Sequence, residues 1–167
     1  DSLMRFDLVP QVRDGRNRLS SQKATLFLDR DRLELRGEPL LEHWSRPIPL
    51  RASPPPGPPE ILGTATTLDW MPGQGILQGQ GPITVRRRPP GAPPQAPLQV
   101  LRASRLEGNT LQQGYVLRGP VRMDDPGENS WFRGGTLLFN TKDQWLTSLE
   151  AFEGQRGALQ VRGDQLR

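Results

Sequence analysis

Residues 111–127, LQQGYVLRGPVRMDDPG, contain the pattern that decides the fold. Apolar and polar side chains alternate along this segment, which is typical of a β-strand with one buried and one exposed face. Gly119 and Pro120 interrupt the alternation. Proline lacks the N–H that a strand interior requires, and glycine permits a sharp bend. The segment therefore predicts a strand that bends at this pair and changes its partner or its sheet. The residues assigned to one face are Leu111, Tyr115, Leu117, Val121 and Met123, with Arg118 and Arg122 on the other.

Two further segments share this layout. Residues 24–41 (ATLFLDRDRLELRGEPLL) and 65–85 (ATTLDWMPGQGILQGQGPITV) align with residues 103–123 (ASRLEGNTLQQGYVLRGPVRM). Each begins with alanine and a short strand, continues through a polar turn, and ends in Leu-x-Gly followed by proline and an aliphatic residue. Such internal repetition indicates one module built from similar units. The aligned glycines are Gly37, Gly79 and Gly119, and a partial fourth copy, GALQVRGDQL, contains Gly163.

The repeats define the expected organisation. We expect a single module over residues 1–167, with repeats at about 22–50, 60–88 and 98–167. The strands are expected to bend at residues 37–39, 81–82 and 119–120. No window has a sustained helical period, so the fold class is all-β with almost no helix, apart from a short turn near residues 141–145.

The composition agrees with an all-β fold that has many turns. The chain contains 18 glycines and 18 prolines, and only 34% of its residues are hydrophobic. The prolines cluster in residues 53–59 (SPPPGPP) and 89–97 (PPGAPPQAP), which we predict to be mobile, polyproline-like surface loops. No run of apolar residues is long enough to cross a membrane. The chain begins at Asp1 in mid-pattern, so any targeting or anchoring segment is expected to lie outside this sequence.

The charged residues indicate one candidate anion-binding region. Lysine and arginine together number 22, against 18 acidic residues. No acidic residue lies between Asp69 and Glu107, whereas five arginines lie in that interval: Arg86, Arg87, Arg88, Arg102 and Arg105. Such a stretch can bind an anionic ligand, and it can equally be the solvated flank of a loop.

Catalytic and metal-binding patterns are weak. The chain has no cysteine, which excludes disulfides, thiolate metal sites and cysteine nucleophiles. His43 is the only histidine. Residues 73–79 (GQGILQG) lack the spacing of a phosphate loop, and residues 124–129 (DDPGEN) lack the spacing of calcium ligands. We therefore expect no metal and no cofactor.

Paired acids and tryptophans leave other functions open. Asp29 with Asp31, and Asp124 with Asp125, are carboxylate pairs of the kind that hydrolyses glycosides, but both pairs lie in predicted turns. We therefore expect no enzyme. The tryptophans can stack on sugar or nucleobase rings, and they can equally belong to the core or an interface. They are Trp44, Trp70, Trp131 and Trp145.

The chain also resembles a known family. LRASRLEGNTLQQGYVLRGPVRMDDP, the glycine-rich hairpin after it, and GQRGALQVRGDQL resemble the C-terminal part of long LptC-type proteins of the OstA/LptA-like superfamily. KATLFLDRDRLELRGEPLLEHWS and ATTLDWMPGQGILQGQGPI look like earlier repeats, so the resemblance covers residues 22–166. It implies an open β-jelly roll of two V-shaped antiparallel sheets. The two proline-rich insertions and the missing membrane anchor depart from the compact family pattern.

The resemblance also implies a function. LptC-type proteins are periplasmic components of the lipopolysaccharide-export ABC transporter in Gram-negative envelopes. They form a passive bridge along which the lipid A acyl chains slide, and they join other Lpt export proteins through unpaired edge strands. A periplasmic location follows, with inner-membrane tethering through a segment absent from this chain. No nucleic-acid partner is expected.

The resemblance and the alternation together give a set of expected lipid contacts. Ordinary core packing accounts for each of the apolar residues equally well. The headgroup phosphates are expected to contact Arg86, Arg87 and Arg88, because guanidinium binds phosphate through paired donors. The expected acyl-chain contacts are Leu26, Leu35, Leu77, Ile83, Val85, Tyr115, Leu117, Val121, Met123 and Phe139.

Two other functions stay open at this point. One is a secreted, non-enzymatic β-sandwich that binds carbohydrate or a protein partner, and it differs from a lipid carrier in having a closed interior. The other is an enzyme on a β-sandwich, which requires a carboxylate pair facing into a cleft.

Overall fold

The computed structural model describes residues 2–6, 11–44, 57–88, 92–140, 142 and 145–164, without the side chains of Phe6, Asp14, Trp145 and Leu146. These residues form antiparallel β-structure almost throughout, which confirms the all-β prediction. The helical segment among them is a single 3-10 turn at Pro72–Gln74. The helical turn expected near residues 141–145 lies partly outside the described residues. Trp145 within it begins a strand.

Fifteen strands make up the described structure. They are β1 Leu3–Phe6, β2 Gln11–Asp14, β3 Asn17–Ser20, β4 Lys23–Phe27, β5 Arg32–Arg36, β6 Leu40–His43, β7 Ile61–Thr64, β8 Thr67–Met71, β9 Ile76–Arg87, β10 Gln99–Asn109, β11 Gly114–Asp125, β12 Ser130–Asn140, β13 Trp145–Ser148, β14 Phe152–Arg156 and β15 Leu159–Gly163.

The strands form one hydrogen-bonded sheet that divides into two arms. Arm I has the order β1-β4-β5-β8-β9-β10-β11-β12-β13, and arm II has the order β2-β3-β6-β7-β9-β10-β11-β12-β14-β15. The four long strands β9 to β12 belong to both arms, one half of each strand to each arm. For example, residues 76–80 of β9 pair with β8, whereas residues 84–87 pair with β7. Within the described residues, β1, β2, β13 and β15 each pair on one side alone, so the sheet is open.

Left-handed glycines form the corner between the two arms. Gly37, Gly81 and Gly119 have φ angles of 72°, 91° and 90°, a region that other residues seldom adopt. Two residues of β11, Gly119 and Pro120, face a single residue of β12, Gly135, which is a β-bulge. The chain therefore bends at all three predicted positions. Each of these glycines lies against a polar side chain, namely Gln22 just before β4, Thr66 just before β8 and Ser104 within β10.

In the second of the three repeats, the glycine at the corner is not the one that the sequence alignment selected. The Leu-x-Gly alignment selected Gly79, but the left-handed glycine is Gly81. Gly79 lies inside β9 on the inner face, where an added β-carbon would come within 2.9 Å of Ile83 Cδ1. Gly79 is therefore a packing glycine, and the structural equivalent of Gly37 and Gly119 comes two residues later.

A single hydrophobic core joins the arms near the corner. Because the cluster contains residues of both arms, their inner faces pack against each other. Leu111 does not belong to it: this side chain is 69% exposed, in the turn between β10 and β11. The buried members are Leu19, Ala24, Leu33, Leu35, Leu68, Leu77, Ile83, Ala103, Leu106, Leu117, Val121, Phe132, Leu137 and Phe152.

Both proline-rich insertions connect neighbouring strands of arm II. One joins β6 to β7 and the other joins β9 to β10, and these four strands are consecutive in arm II. Residues 53–56 and 89–91 lie outside the described residues. The described parts, 57–59 and 92–97, contain no strand or helix.

Candidate functional site

The inner faces of the arms are organised in rows that run parallel to the corner. The register places inward residues of successive strands side by side, so each row crosses many strands. In arm I the row next to the corner contains Leu35, Leu68, Leu106, Leu117 and Leu137, which are between 0% and 9% exposed. This row is closed core.

One step farther from the corner, the second row of arm I is richer in aromatic residues and only partly buried. Leu26, Trp70, Tyr115 and Phe139 all pack against the core cluster while keeping part of their surface accessible. Leu77 shares this row but is 4% exposed, because Trp70 lies directly opposite it on β8. The row presents an apolar surface between the core and the open side of the V.

Arm II has a matching second row. Leu41, Val85, Leu101 and Met123 are partly buried hydrophobic residues that pack against the core. The register places Val85 beside Leu101 and Leu101 beside Met123. The two second rows therefore supply apolar surface on both walls of the space between the arms, and we call that space the groove.

Inward glycines shape the walls of the groove. Gly108 faces Tyr115 across β10 and β11, and a side chain at Gly108 would collide with the tyrosine ring. Without that side chain, Tyr115 stacks on Phe139 at a centroid separation of 5.1 Å and an interplanar angle of 19°. In arm II, Phe132 and Phe152 stack at 5.8 Å and 15°. The walls thus contain aromatic pairs with rings nearly parallel.

The groove is open at the end formed by β2, β4, β5 and β8. A cleft of about 300 Å³ lies there, between Val12 of arm II and Leu26, Leu33 and Trp70 of arm I. Its lining is mainly apolar, with Gln11 as the polar residue. An apolar cleft of this kind accommodates hydrocarbon, because binding removes apolar surface from water.

The rim of arm II is polar. Gln99 donates a hydrogen bond from Nε2 to Asp125 Oδ2 at 2.6 Å, and Asp125 Oδ1 accepts from the backbone N–H groups of Gly127 and Glu128 at 3.1 and 3.2 Å. The register places exposed Arg87 beside Gln99. The Arg87 guanidinium and the Asp125 carboxylate therefore lie one row farther from the corner than Val85, Leu101 and Met123.

The ten expected acyl-chain contacts divide into two groups. Those of the first group belong to the closed core, and those of the second group lie partly accessible along the groove. The first group is Leu35 (0% exposed), Leu77 (4%), Ile83 (3%), Leu117 (0%) and Val121 (2%). The second group is Leu26, Val85, Tyr115, Met123 and Phe139.

The three consecutive arginines do not lie on one face. Successive residues of a strand point to opposite faces, and Val85 belongs to the groove wall. Arg87 therefore shares the groove face, whereas Arg86 and Arg88 belong to the outer face. Arg86 and Arg87 are both exposed, and Arg88 is partly buried.

Three groove residues were not expected from the sequence. Trp70, Leu101 and Leu41 pack against the core in the same rows as the expected residues. Leu101 shows the same alternation that identified Met123. It lies two residues from the inward Ala103, as Met123 lies two residues from the inward Val121. Trp70 had been considered for stacking on rings and for the core or an interface, but not as a groove residue.

The polar groups considered for chemistry have structural partners. Asp31 Oδ2 accepts from Gly73 N–H at 2.7 Å, and Asp125 caps the turn after β11. His43 Nδ1 lies 2.8 Å from Asn17 Oδ1, and buried Trp44 donates from Nε1 to the Gly57 carbonyl at 3.1 Å. In the described part of the chain, no group of three or more histidine and acidic residues is placed to hold a metal ion.

Electrostatics distinguish the groove from the outer face. Burial raises the pKa of the Tyr115 hydroxyl, so this groove group stays neutral at physiological pH. On the outer face, hydrogen bonding to the Arg122 guanidinium lowers the pKa of Asp124, with a further contribution from Arg102. The described ranges contain no helix of the length and hydrophobicity that crossing a bilayer requires.

Comparison with known proteins identifies the fold. No protein-family model matches the sequence, and no curated protein matches it. Among solved structures, the chain is similar to LptH of Pseudomonas aeruginosa, the LptA-homologous periplasmic component of the conserved lipopolysaccharide transport device. The TM-score is 0.57 at 16% sequence identity, and the match covers 78% of this chain and 79% of the LptH chain. The open, LptA-like β-jelly roll expected from the resemblance is therefore confirmed as the fold.

Proposed function

We propose that this chain is a non-enzymatic lipid-carrying module of the periplasm, which binds lipopolysaccharide in the groove and passes it from an inner-membrane exporter toward the outer membrane. The observation that carries the proposal is the second row of the inner faces. Its partly exposed apolar side chains line both walls of an open space, which a closed β-sandwich core would not provide.

Acyl chains fit this groove for a physical reason. Transfer of hydrocarbon from water to an apolar surface is favourable by roughly 25 cal/mol per Å². The contact is non-directional, so a chain can move along a row without breaking specific bonds. A row that crosses many strands therefore supports sliding, which is what a passive bridge requires. The second group of expected residues, together with Trp70 and Leu101, would make these contacts.

The headgroup contact is proposed for Arg87 rather than for all three arginines. Arg87 is exposed at the rim, on the same face as Val85. A guanidinium there can donate paired hydrogen bonds to a lipid A phosphate while the acyl chains lie deeper in the groove. Arg86 and Arg88 point away from the groove and serve as internal comparisons.

The finer assignments rest on the resemblance. We propose an LptC-type position in the transporter, with tethering through a segment outside this chain and with neighbouring Lpt proteins joined at edge strands. The support is the similarity of residues 22–166 to LptC-type repeats and the similarity of the fold to LptH, a periplasmic component of a lipopolysaccharide transport device. Exposed Leu3 and Met4 on β1, and Leu159 and Val161 on β15, give these two of the four edge strands apolar surface.

Site-specific photo-crosslinking tests the proposal. Benzoylphenylalanine at Tyr115 or Met123 should form adducts with lipopolysaccharide added to the purified protein. The same probe at Val116 or Arg122, which are adjacent in sequence to Tyr115 and Met123, should form none because these positions face outward. Equal adduct yields on the two faces, or no adducts at the groove positions in a folded protein, would refute a lipid groove.

A matched pair of variants tests the headgroup contact. Arg87→Gln should weaken lipopolysaccharide binding several-fold, because a phosphate loses a charged donor. Arg86→Gln removes the same charge one residue away on the other face and should leave binding nearly unchanged. If both variants weaken binding equally, the effect is one of general charge and the contact at Arg87 is wrong.

A further inference from the structure

The convex side of the corner carries a compact patch of arginines. The patch consists of five arginines, Arg102, Arg105, Arg118, Arg122 and Arg133. They lie on the outer faces of β10, β11 and β12, within the strand segments that flank the corner. The register places Arg105 directly across from Arg118, and Arg122 across from both Arg102 and Arg133. We call these residues the corner arginine patch. The exposed fractions of their side chains are 55% for Arg102, 53% for Arg105, 51% for Arg118, 49% for Arg122 and 51% for Arg133.

The patch keeps an excess of positive charge despite its ion pairs. Arg102 and Arg122 share Asp124 at 3.0 and 2.9 Å, and Arg105 and Arg118 share Glu107 at 3.0 and 3.8 Å.

The fifth arginine of the patch has its own partners. Arg133 lies 3.6 Å from Glu153 and stacks over Trp131 at 5.0 Å. Three carboxylates therefore form ion pairs with five guanidiniums, which leaves an excess of positive charge. Each guanidinium also has five N–H donors. Like charges directly opposite each other across strands are unfavourable, so this placement raises the affinity of the patch for anions.

Apolar residues lie between the arginines of the two arms. Pro82 and Pro120 are exposed at the corner, and Leu149, which is 50% exposed, lies at the same corner between β13 and β14. The core occupies the inner side of the bend, so the outer side is convex and encloses no small molecule. Glu150 also lies at the corner, where its carboxylate accepts a hydrogen bond from Thr136 Oγ1 at 2.8 Å, so arginines still outnumber acidic groups. A mainly apolar convex line flanked by an excess of cations complements an extended array of anions with hydrocarbon just beneath it.

We propose that the corner arginine patch binds the surface of an anionic lipid bilayer. The guanidiniums would contact the phosphates of several lipids, while Pro82, Pro120 and Leu149 lie at headgroup level. The groove opens on the opposite side, so this contact leaves it accessible. The proposal rests on the outer face alone and does not depend on what the groove carries.

Vesicle co-sedimentation tests the proposal. The protein should bind vesicles of equal parts phosphatidylglycerol and phosphatidylcholine, with affinity falling as salt rises, and should not bind vesicles of phosphatidylcholine alone. Glycerol phosphate at the same phosphate concentration should not compete, because isolated phosphates lack the multivalency of a bilayer. Competition by glycerol phosphate, or no binding to the anionic vesicles, would overturn the proposal and leave the patch as a site for free phosphate or a solvated face.

Three variants locate the binding surface. The triple change Arg105→Gln, Arg118→Gln and Arg122→Gln should weaken vesicle binding at least about tenfold. Lysine at the same three positions keeps the charge and should retain most of the binding. The control Arg5→Gln, Lys142→Gln and Arg156→Gln removes three exposed charges elsewhere and should have a small effect. Equal loss in the control and the patch variant would show that net charge alone is responsible, which would contradict the proposal.

Discussion

The two inner rows of arm I differ in composition and exposure although the same strands supply both. Next to the corner, Leu35, Leu117 and Leu137 are completely buried. Two residues farther along their strands, Leu33 is buried as well, but Tyr115 and Phe139 keep accessible surface. On β11 and β12, distance from the corner therefore separates residues that hold the arms together from residues that can contact a ligand. A V-shaped sandwich can thus provide core and binding surface on a single face.

The largest effect is expected in the closed row. Leu117→Ala should lower the free energy of unfolding by about 2–5 kcal/mol, because it leaves a cavity where the arms meet. Urea denaturation followed by tryptophan fluorescence measures the change. Met123→Ala, in the matching partly exposed row of arm II, is the comparison variant and should cost less stability while reducing lipopolysaccharide binding more. The reverse ranking would mean that the two rows are not functionally distinct.

A second large effect is expected at the corner. Gly119→Ala should destabilise the protein by about 1–3 kcal/mol, since alanine is strained at positive φ. The new β-carbon would also lie 2.6 Å from Ser104 Oγ. Adding Ser104→Gly should recover only the part due to the collision. Gly114→Ala is the control, because an added β-carbon there meets nothing within 4 Å. A corner variant no less stable than this control would show that the bend does not need glycine.

Removal of residues 89–97 should have little effect on stability. The register pairs Arg87 with Gln99, so a short turn can join β9 to β10 directly. Circular dichroism and thermal unfolding of the shortened chain should match those of the parent. Loss of soluble, folded protein would show that this loop contributes to the arm II rim.

The smallest effect concerns pH. The Arg122 and Arg102 guanidiniums hold the pKa of Asp124 below the ordinary value of 3.8. A lowered carboxyl pKa adds stability above the ordinary value, and that stability is lost as pH falls through the native pKa. Arg102 and Arg122 are about half exposed, so solvent screens their ion pairs with the partly buried Asp124, and Asp124→Asn should cost less than about 1 kcal/mol at neutral pH. The difference between the two proteins in urea denaturation should shrink below pH 4; a constant difference would rule out the ion pairs as its cause.

The sequence predicted the bends well, and also the inward face of β11 from Tyr115 to Met123, because both depend on local chemistry. Gly119-Pro120 can only bend a strand, and the alternation of Leu117, Val121 and Met123 assigns them to one face. Gly81 was missed in the repeat alignment because a Leu-x-Gly match at Gly79 lies only two residues away. The division between core and groove was not predictable, because Leu117 and Tyr115 have the same parity and differ only in their distance from a corner formed by other strands.

The arginines illustrate the same limit. Arg86, Arg87 and Arg88 attracted attention as neighbours in sequence, yet strand alternation places them on two faces. Arg102, Arg118 and Arg133 are far apart in sequence, and only the register of β10, β11 and β12 brings them together. Cross-strand clusters of this kind require the pairing of strands to be known.

Cysteine accessibility tests the central claim, that lipid occupies the partly exposed row, most directly. The chain contains no cysteine, so a single introduced thiol reports one position. Val85→Cys and Met123→Cys should react with maleimide in the free protein and be protected by lipopolysaccharide. Arg86→Cys and Arg122→Cys, on the outer face, should react equally with and without the lipid. Protection at the outer positions, or none at Val85→Cys and Met123→Cys, would contradict the groove as the lipid site.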